Sequence, residues 1–156
     1  MDKQPNNKST PENPVGRFMV ASGAVVELNN SRKILVIQRA KILDWQPNEW
    51  EIVYGRIDQY EDNKTGLLRE VNEEIGLNDL QIVDVINVWH IFRGTKNIAQ
   101  NELIGVTYWC KTNSSEIKLS KEHQDYKWVT PEEALELINM PRIKDDIYKF
   151  IQKRSI

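Results

Sequence analysis

Three carboxylates crowd the end of one short segment. In GRIDQYEDNKTGLLREVNEEIGL, which runs from Gly55 to Leu77, Glu70, Glu73 and Glu74 are spaced i, i+3, i+4, so on a helix they share one face. Like charges at this spacing disfavour a helix by roughly 0.2–0.5 kcal/mol per pair. Acids near a helix C-terminus oppose the macrodipole by roughly 0.3–1 kcal/mol each. A solvated acidic face has the same spacing and leaves that cost uncompensated. A divalent cation would cancel it: Mg²⁺ is a hard ion that combines a few carboxylates with substrate phosphates.

The segment carries its own helix signals. Asp62 or Asn63 can cap the start, and Leu67, Leu68, Val71 and Ile75 form an apolar stripe away from the acids. Gly76 fits the left-handed stop, with Leu77 as the hydrophobic contact that accompanies it. Arg69 can pair with Glu73 at i+4, the weaker orientation. Upstream, FMVASGAVVEL (18–28) and ILVIQRA (34–40) flank the turn NNSRK and predict a β-hairpin; WEIVYG predicts a short strand. Downstream, LQIVDVINVWHIFRG and NELIGVTYWCKT predict two long strands, and YKWV a short one. Thr130-Pro131-Glu132-Glu133 opens a helix with a cap, a proline at N1 and an acid at N3, and a last helix is expected over about 143–153. Helices among strands predict an α/β (α+β) fold with a mixed sheet.

The 156 residues suit one compact domain over 16–156, after a polar, proline-rich stretch over 1–15 that reads as a disordered tail. A net charge of −2 provides no basic field, which argues against an extended nucleic-acid surface. No apolar run approaches a membrane span, so a cytoplasmic protein is expected. Cys110 is the sole cysteine, which excludes an internal disulfide or a thiolate zinc site; VTYWCKT places it in a buried strand.

The stretch from Gly55 to Leu77 fits the Nudix box, G-x5-E-x7-R-E-U-x-E-E-x-G-U with U apolar, at every defined position: Gly55, Glu61, Arg69-Glu70-Val71, Glu73-Glu74 and Gly76-Leu77. Seven fixed identities and two apolar sites arise by chance on the order of once in ten million chains or fewer, so the match outweighs the acidic spacing alone. The chain resembles a Nudix (MutT-like) hydrolase, and the order of its expected elements extends the resemblance over about 18–150. The resemblance implies an α/β/α sandwich with the box as loop–helix–loop. It implies a pyrophosphohydrolase that cleaves a nucleoside diphosphate linked to a group X, with Mg²⁺ or Mn²⁺. Glu70, Glu73 and Glu74 would bind or water-bridge the metals, joined by the Gly55 carbonyl, while Glu61 pairs with Arg69. A further acid before the last core strand, a metal ligand or base, corresponds to Glu122, with Asp125 the competitor. Glu70, Glu73 and Glu122 are thus the catalytic candidates.

Two departures stand out. Val53-Tyr54 replaces the Pro-Gly common before the box glycine, and Gly66 replaces a frequent alanine at a cost of about 0.5–1 kcal/mol. A second reading is a non-catalytic Nudix module that binds a nucleotide or partner; the box lacks none of its glutamates. Outside the box, Trp45 is the best candidate for base stacking, whereas Trp109 and Trp128 fit a core. His123, beside Glu122, is a better acid–base candidate than His90. Arg39 and Arg93 could meet phosphate or simply face water. The expected partner is a small nucleotide, its identity set by the loops 41–49 and 94–102, and a homodimer is compatible with the sequence.

Overall fold

The computed structural model describes residues 16–156; the expected tail over 1–15 lies outside the described residues. In chain order the elements are β1 (Met19–Leu28), β2 (Ile34–Arg39), β3 (Trp50–Glu51), β4 (Val53–Arg56), α1 (Asn63–Ile75), β5 (Gln81–Phe92), β6 (Glu102–Thr112), β7 (His123–Val129), α2 (Pro131–Leu137) and α3 (Pro141–Arg154). The strands form one mixed sheet in the order β3-β2-β1-β6-β5, with β4 added to β1 and β7 to β2. β1 and β6 run parallel, and the other pairs are antiparallel.

Alternation along β1 sorts the layers. Ala24 and Val26 point to one face, where they meet Leu67, Val71 and Ile75 of α1. Val25 points to the other, against Ala134 and Ile138 and against Ile143, Ile147 and Phe150 of α3. Burying each such large side chain contributes about 1.5–3 kcal/mol, which fixes helices on both faces as an α/β/α sandwich. The expected apolar stripe of α1 needs one correction: Leu68 is exposed, and Gly66 is buried beside Leu67 in its place. A Cβ on Gly66 would come 2.8 Å from a Glu61 oxygen, so this glycine makes room for the loop that folds over the helix.

The strand expected at WEIVYG is divided, and the division shapes the molecule. β1 and β2 form the expected hairpin, turning through Asn30 at φ 59°, but share only the register pair Glu27↔Ile34 before they diverge. β3 then pairs with β2 and β4 with β1, the chain changing partners at the fully buried Ile52. The sheet therefore opens as a V between two arms, β4 lying along β1 at Ala21–Ala24 and β3 along β2 at Ile37–Gln38.

α1 is capped as its sequence suggests: the Asp62 carboxylate accepts from the Thr65 amide at 3.1 Å, and Gly76 closes the helix at φ 72°. Its last carbonyls do not face water. Lys118 N–H donates to Ile75 O and Ser120 N–H to Glu74 O, each at 3.0 Å, so the segment before β7 docks on the acidic end of the helix. The Thr130 capping box forms in both directions, and α3 begins at Pro141, earlier than expected, because proline suits N1. β7 likewise begins earlier, at His123. Cys110 is buried, and burial pushes its thiol up to about 12, the state of an inert core residue.

Candidate active site

An open cleft of about 660 Å³ occupies the V of the sheet. Glu70, Glu74, Glu51 and Glu122 line one side, and Arg39, Arg56, Arg93 and Arg142 line others. Trp45, Trp89 and Phe92 give the same cleft aromatic surface. Its size suits a nucleotide.

The box is organised by one guanidinium. Arg69 holds Glu61 through two parallel bonds, Nε–Oε1 at 2.7 Å and Nη2–Oε2 at 2.9 Å, and donates to the Arg56 carbonyl at 3.1 Å. It also reaches Glu70 at 2.8 Å and Glu73 at 3.4 Å. The Arg69 hydrogen bond, with help from the Asp58 amide, lowers the Glu61 carboxyl to about 2, so this clasp of loop to helix stays ionised through the neutral range. Burial raises Glu70 above the usual carboxylate range; Arg69 opposes the shift, and Glu73 and Glu74 add to it.

Gly55 lies against Glu70 so closely that a Cβ would overlap that side chain. Gly55→Ala is therefore expected to displace Glu70 and strain the β4–α1 contact. Overpacking of this kind costs about 1–3 kcal/mol, a fall in melting temperature of roughly 2–10 °C for a domain of this size. Thermal melts beside turnover assays test this; an unchanged melting temperature and rate would show that the contact carries no constraint.

Glu74 is held from the opposite side. It accepts from Ser120 Oγ at 2.6 Å and contacts His123 Nδ1 at 3.1 Å, and His123 Nε2 contacts Glu51 at 2.9 Å. Burial alone would lower the His123 pKa, but the two carboxylates outweigh it and raise it to about 9. The histidine is thus a cation bridging two acids, and hydrogen bonding to it draws Glu74 below its ordinary range. Glu122 lines the cleft beside this bridge, whereas Asp125 lies along β7 in register with Gln38. Glu73 is more exposed, on the Arg69 side of the helix.

Among the described residues, no three acidic, histidine or cysteine side chains converge as a ready metal-holding group. The physical reason is their present partners: Glu70 leans on Arg69, and Glu74 on Ser120 and His123. Four carboxylates share the cleft and no thiol does, which fits a hard cation and not a thiolate-seeking one. Arg69 engages only Oε1 of Glu70, and Ser120 and His123 only Oε2 of Glu74, which leaves the second oxygen of each carboxylate to such an ion.

Several residues of the site carried no readable signal in the sequence. Asp146 of α3 is fully buried and accepts from Tyr54 Oη at 2.6 Å, Thr107 at 2.7 Å, Asn87 at 2.8 Å and Arg142 at 3.1 Å. The Arg142 guanidinium stacks 4.0 Å from the Trp89 ring centre and 4.6 Å from that of Tyr54. Burial first, then Asp146, raises the Tyr54 hydroxyl well above its usual value, so it remains a donor. Tyr54 thereby makes use of the Val53-Tyr54 departure as one wall of the cleft. Gly23 and Gly105 were the available clue, since interior strand glycines mark close approach: a Cβ there would overlap Tyr54 and Trp89 respectively. Glu51 had no clue at all. Arg39 does not face water; it binds Glu51 at 3.2 Å and the Trp45 carbonyl at 2.9 and 3.0 Å. His90 pairs with Glu102 at 2.8 Å, away from the acids.

The family model described as NUDIX domain matches residues 17–153. The chain is 31% identical to the bis(5'-nucleosyl)-tetraphosphatase [asymmetrical] of Mus musculus over 121 residues, covering 74% of this chain and 76% of that one. It is 30% identical over 96 residues to the nucleoside triphosphatase NudI of Escherichia coli, covering 57% of this chain and 67% of that one. Among solved structures, the MutT protein from Methanosarcina mazei Go1 superposes with a TM-score of 0.71 at 20% identity, over 90% of this chain and 96% of that chain. With its box folded as loop, helix and loop beside the cleft, the chain belongs to the Nudix family of hydrolases, whose members act on phosphoric anhydride bonds with divalent cations.

Proposed function

We propose that this chain is an Mg²⁺- or Mn²⁺-dependent pyrophosphohydrolase, cleaving a nucleoside diphosphate linked to a group X into a nucleoside monophosphate and phosphorylated X. The observation that carries the reading is the meeting, in one cleft, of the carboxylates of α1 with guanidinium and aromatic side chains. Glu70, Glu73, Glu74 and Glu122 would hold the metal, with the Gly55 carbonyl beside Glu70. Once bound, the ion would screen the anionic pyrophosphate and acidify a water.

The chain's own groups account for the rest. Arg69 and Glu61 clasp to α1 the loop that follows Gly55, which keeps β4 against Glu70 at the cleft. Glu70, once freed from Arg69, or Glu122 can take the proton of an attacking water. Ser120 and His123 set the orientation of Glu74. Arg142, Trp89 and Trp45 offer flat surfaces for the base or X group. The tetraphosphatase and triphosphatase names of the two relatives support a nucleotide polyphosphate as the first substrate to try. The absence, among described helices, of one long and apolar enough to span a membrane is compatible with a cytoplasmic site.

The test is product release from a panel of nucleoside triphosphates, dinucleoside polyphosphates and nucleotide sugars with Mg²⁺ or Mn²⁺, alongside Glu73→Gln. Turnover of one class that collapses in a still-folded variant is the expected result. Equal turnover in wild type and variant would remove Glu73 from the machinery.

A further inference from the structure

Four arginines line the cleft, and their pairing divides them. Arg142 is bound by Asp146 and Arg39 by Glu51. Among the described residues, neither Arg56 nor Arg93 has a carboxylate partner, although acidic side chains line the same cleft.

Their positions follow from the sheet. Arg56 ends β4 in register with Ala21, and Ala21 pairs with Gly105, which pairs with Trp89. Arg56 and Trp89 thus end one row across the floor of the cleft. Arg93 follows β5, its amide donating to Asn101 O at 2.8 Å, and its guanidinium lies 5.8 Å from the Trp45 ring centre. Arg39 bonds the carbonyl of that same Trp45, so the loop bearing the tryptophan is held between two arginines. Arg93 is half-buried, and its pKa is lowered by burial first and then by the nearby charges of Arg56 and Arg39. Arg56 and Arg93, like charges in one cleft with no carboxylate paired to either, form an arrangement that an anion relieves. Guanidinium groups match phosphate oxygens in charge and geometry.

We infer that Arg39, Arg56 and Arg93 form a phosphate subsite that selects nucleotides whose phosphate chain extends beyond the scissile pair, as in nucleoside triphosphates and dinucleoside polyphosphates. The inference rests on the proposed pyrophosphohydrolase reading for its scissile pair, but the subsite is defined by its own residues. Each further phosphate adds about one negative charge, which is what distinguishes these substrates from a two-phosphate nucleotide sugar. Arg39 is pre-oriented by Glu51, Arg93 lies against Trp45, and Arg56 is exposed and free to close on the chain.

The experiment compares kcat/KM for an adenosine triphosphate, a diadenosine tetraphosphate and an ADP-sugar in the wild type, Arg56→Gln, Arg93→Gln and Arg93→Lys. The expected result is a wild-type preference for the longer chains that shrinks roughly 10–100-fold in either glutamine variant, chiefly through KM, with partial recovery in Arg93→Lys. Arg56 is exposed, so its substitution keeps the test valid if Arg93→Gln fails to fold. Metal-free calorimetry with inorganic tripolyphosphate separates the two readings. Binding that weakens in Arg56→Gln without any turnover would uphold the subsite and overturn the hydrolase. Turnover with equal losses on long and short chains, or none, would overturn the subsite and leave the hydrolase standing.

Discussion

Glu70→Gln is expected to leave a folded protein whose turnover falls on the order of 10²–10⁴-fold, the range for losing a positioned acid–base group. The same change is expected to preserve or raise thermal stability. Glu70 sits where several effects oppose a negative charge. It is partly buried, Glu73 and Glu74 crowd it, and it lies in the C-terminal half of α1, toward the helix end where the dipole disfavours anions. Its carboxyl is accordingly raised, burial contributing most. A carboxyl with a raised folded-state pKa binds its proton more tightly folded than unfolded. Near neutral pH its ionisation therefore detracts from stability, and below its unfolded pKa that penalty is gone. Glutamine keeps the shape and removes the charge. The Arg69 bond at 2.8 Å is the opposing contribution, and Arg69 retains Glu61 when it is lost.

A melting temperature between the wild-type value and about 4 °C above it corresponds to relief of up to roughly 1 kcal/mol. Melts without metal, paired with rates in Mg²⁺ or Mn²⁺, test both halves. A large drop in melting temperature would mean that the Arg69–Glu70 bond dominates and that Glu70 is structural. An unchanged rate would remove it from the chemistry.

This conflict is also why the box could be read from the sequence. A helix whose end gathers acids, stops at glycine and turns on a buried leucine breaks local electrostatic rules while obeying every packing rule. Such conflicts gather at functional sites. The sandwich was readable for a related reason: β1 alternates between two apolar faces, and α1 and α3 each carry an apolar stripe at helical period. The cleft was not readable. It depends on β1 and β2 sharing one register pair before parting, and on a partner change at Ile52, neither of which leaves a mark in hydropathy. Glu51 and His123 meet because β3 and β7 pair with opposite sides of β2 near Arg39, a pairing that hydropathy does not record. The segment before β7 docks on α1 partly through the Lys118 and Ser120 amides, which bond helix carbonyls and for which side-chain identity is silent.

Asp146→Ala is expected to produce the largest loss of stability of any single substitution in the cleft wall. The carboxylate is fully buried and receives four donors, three of them at 2.6–2.8 Å and the fourth from Arg142 at 3.1 Å. Three of the donors fall on Oδ2 and one on Oδ1, so both oxygens are engaged. Truncation strands a half-buried guanidinium, a half-buried phenol and two further donors together. Breaking a buried ion pair from one side costs about 3–5 kcal/mol, against a total stability of about 5–15 kcal/mol. The melting temperature should fall by roughly 6–20 °C. Asp146→Asn separates charge from shape: it keeps the volume and one acceptor, and should lose less. The functional consequence follows from the same atoms, because Arg142, Tyr54 and Trp89 hold one another in the wall through Asp146. KM for a nucleotide should rise in Asp146→Asn while α1 and its glutamates, on the opposite face of the sheet, stay in place. If Asp146→Ala melted within 2 °C of wild type, the network would be an ornament of the fold and Arg142 would be oriented by its aromatic neighbours alone. If it destabilised the protein as expected while KM held in Asp146→Asn, the wall would be structural and the base would bind elsewhere, with Trp45 and Phe92 the remaining aromatic surfaces.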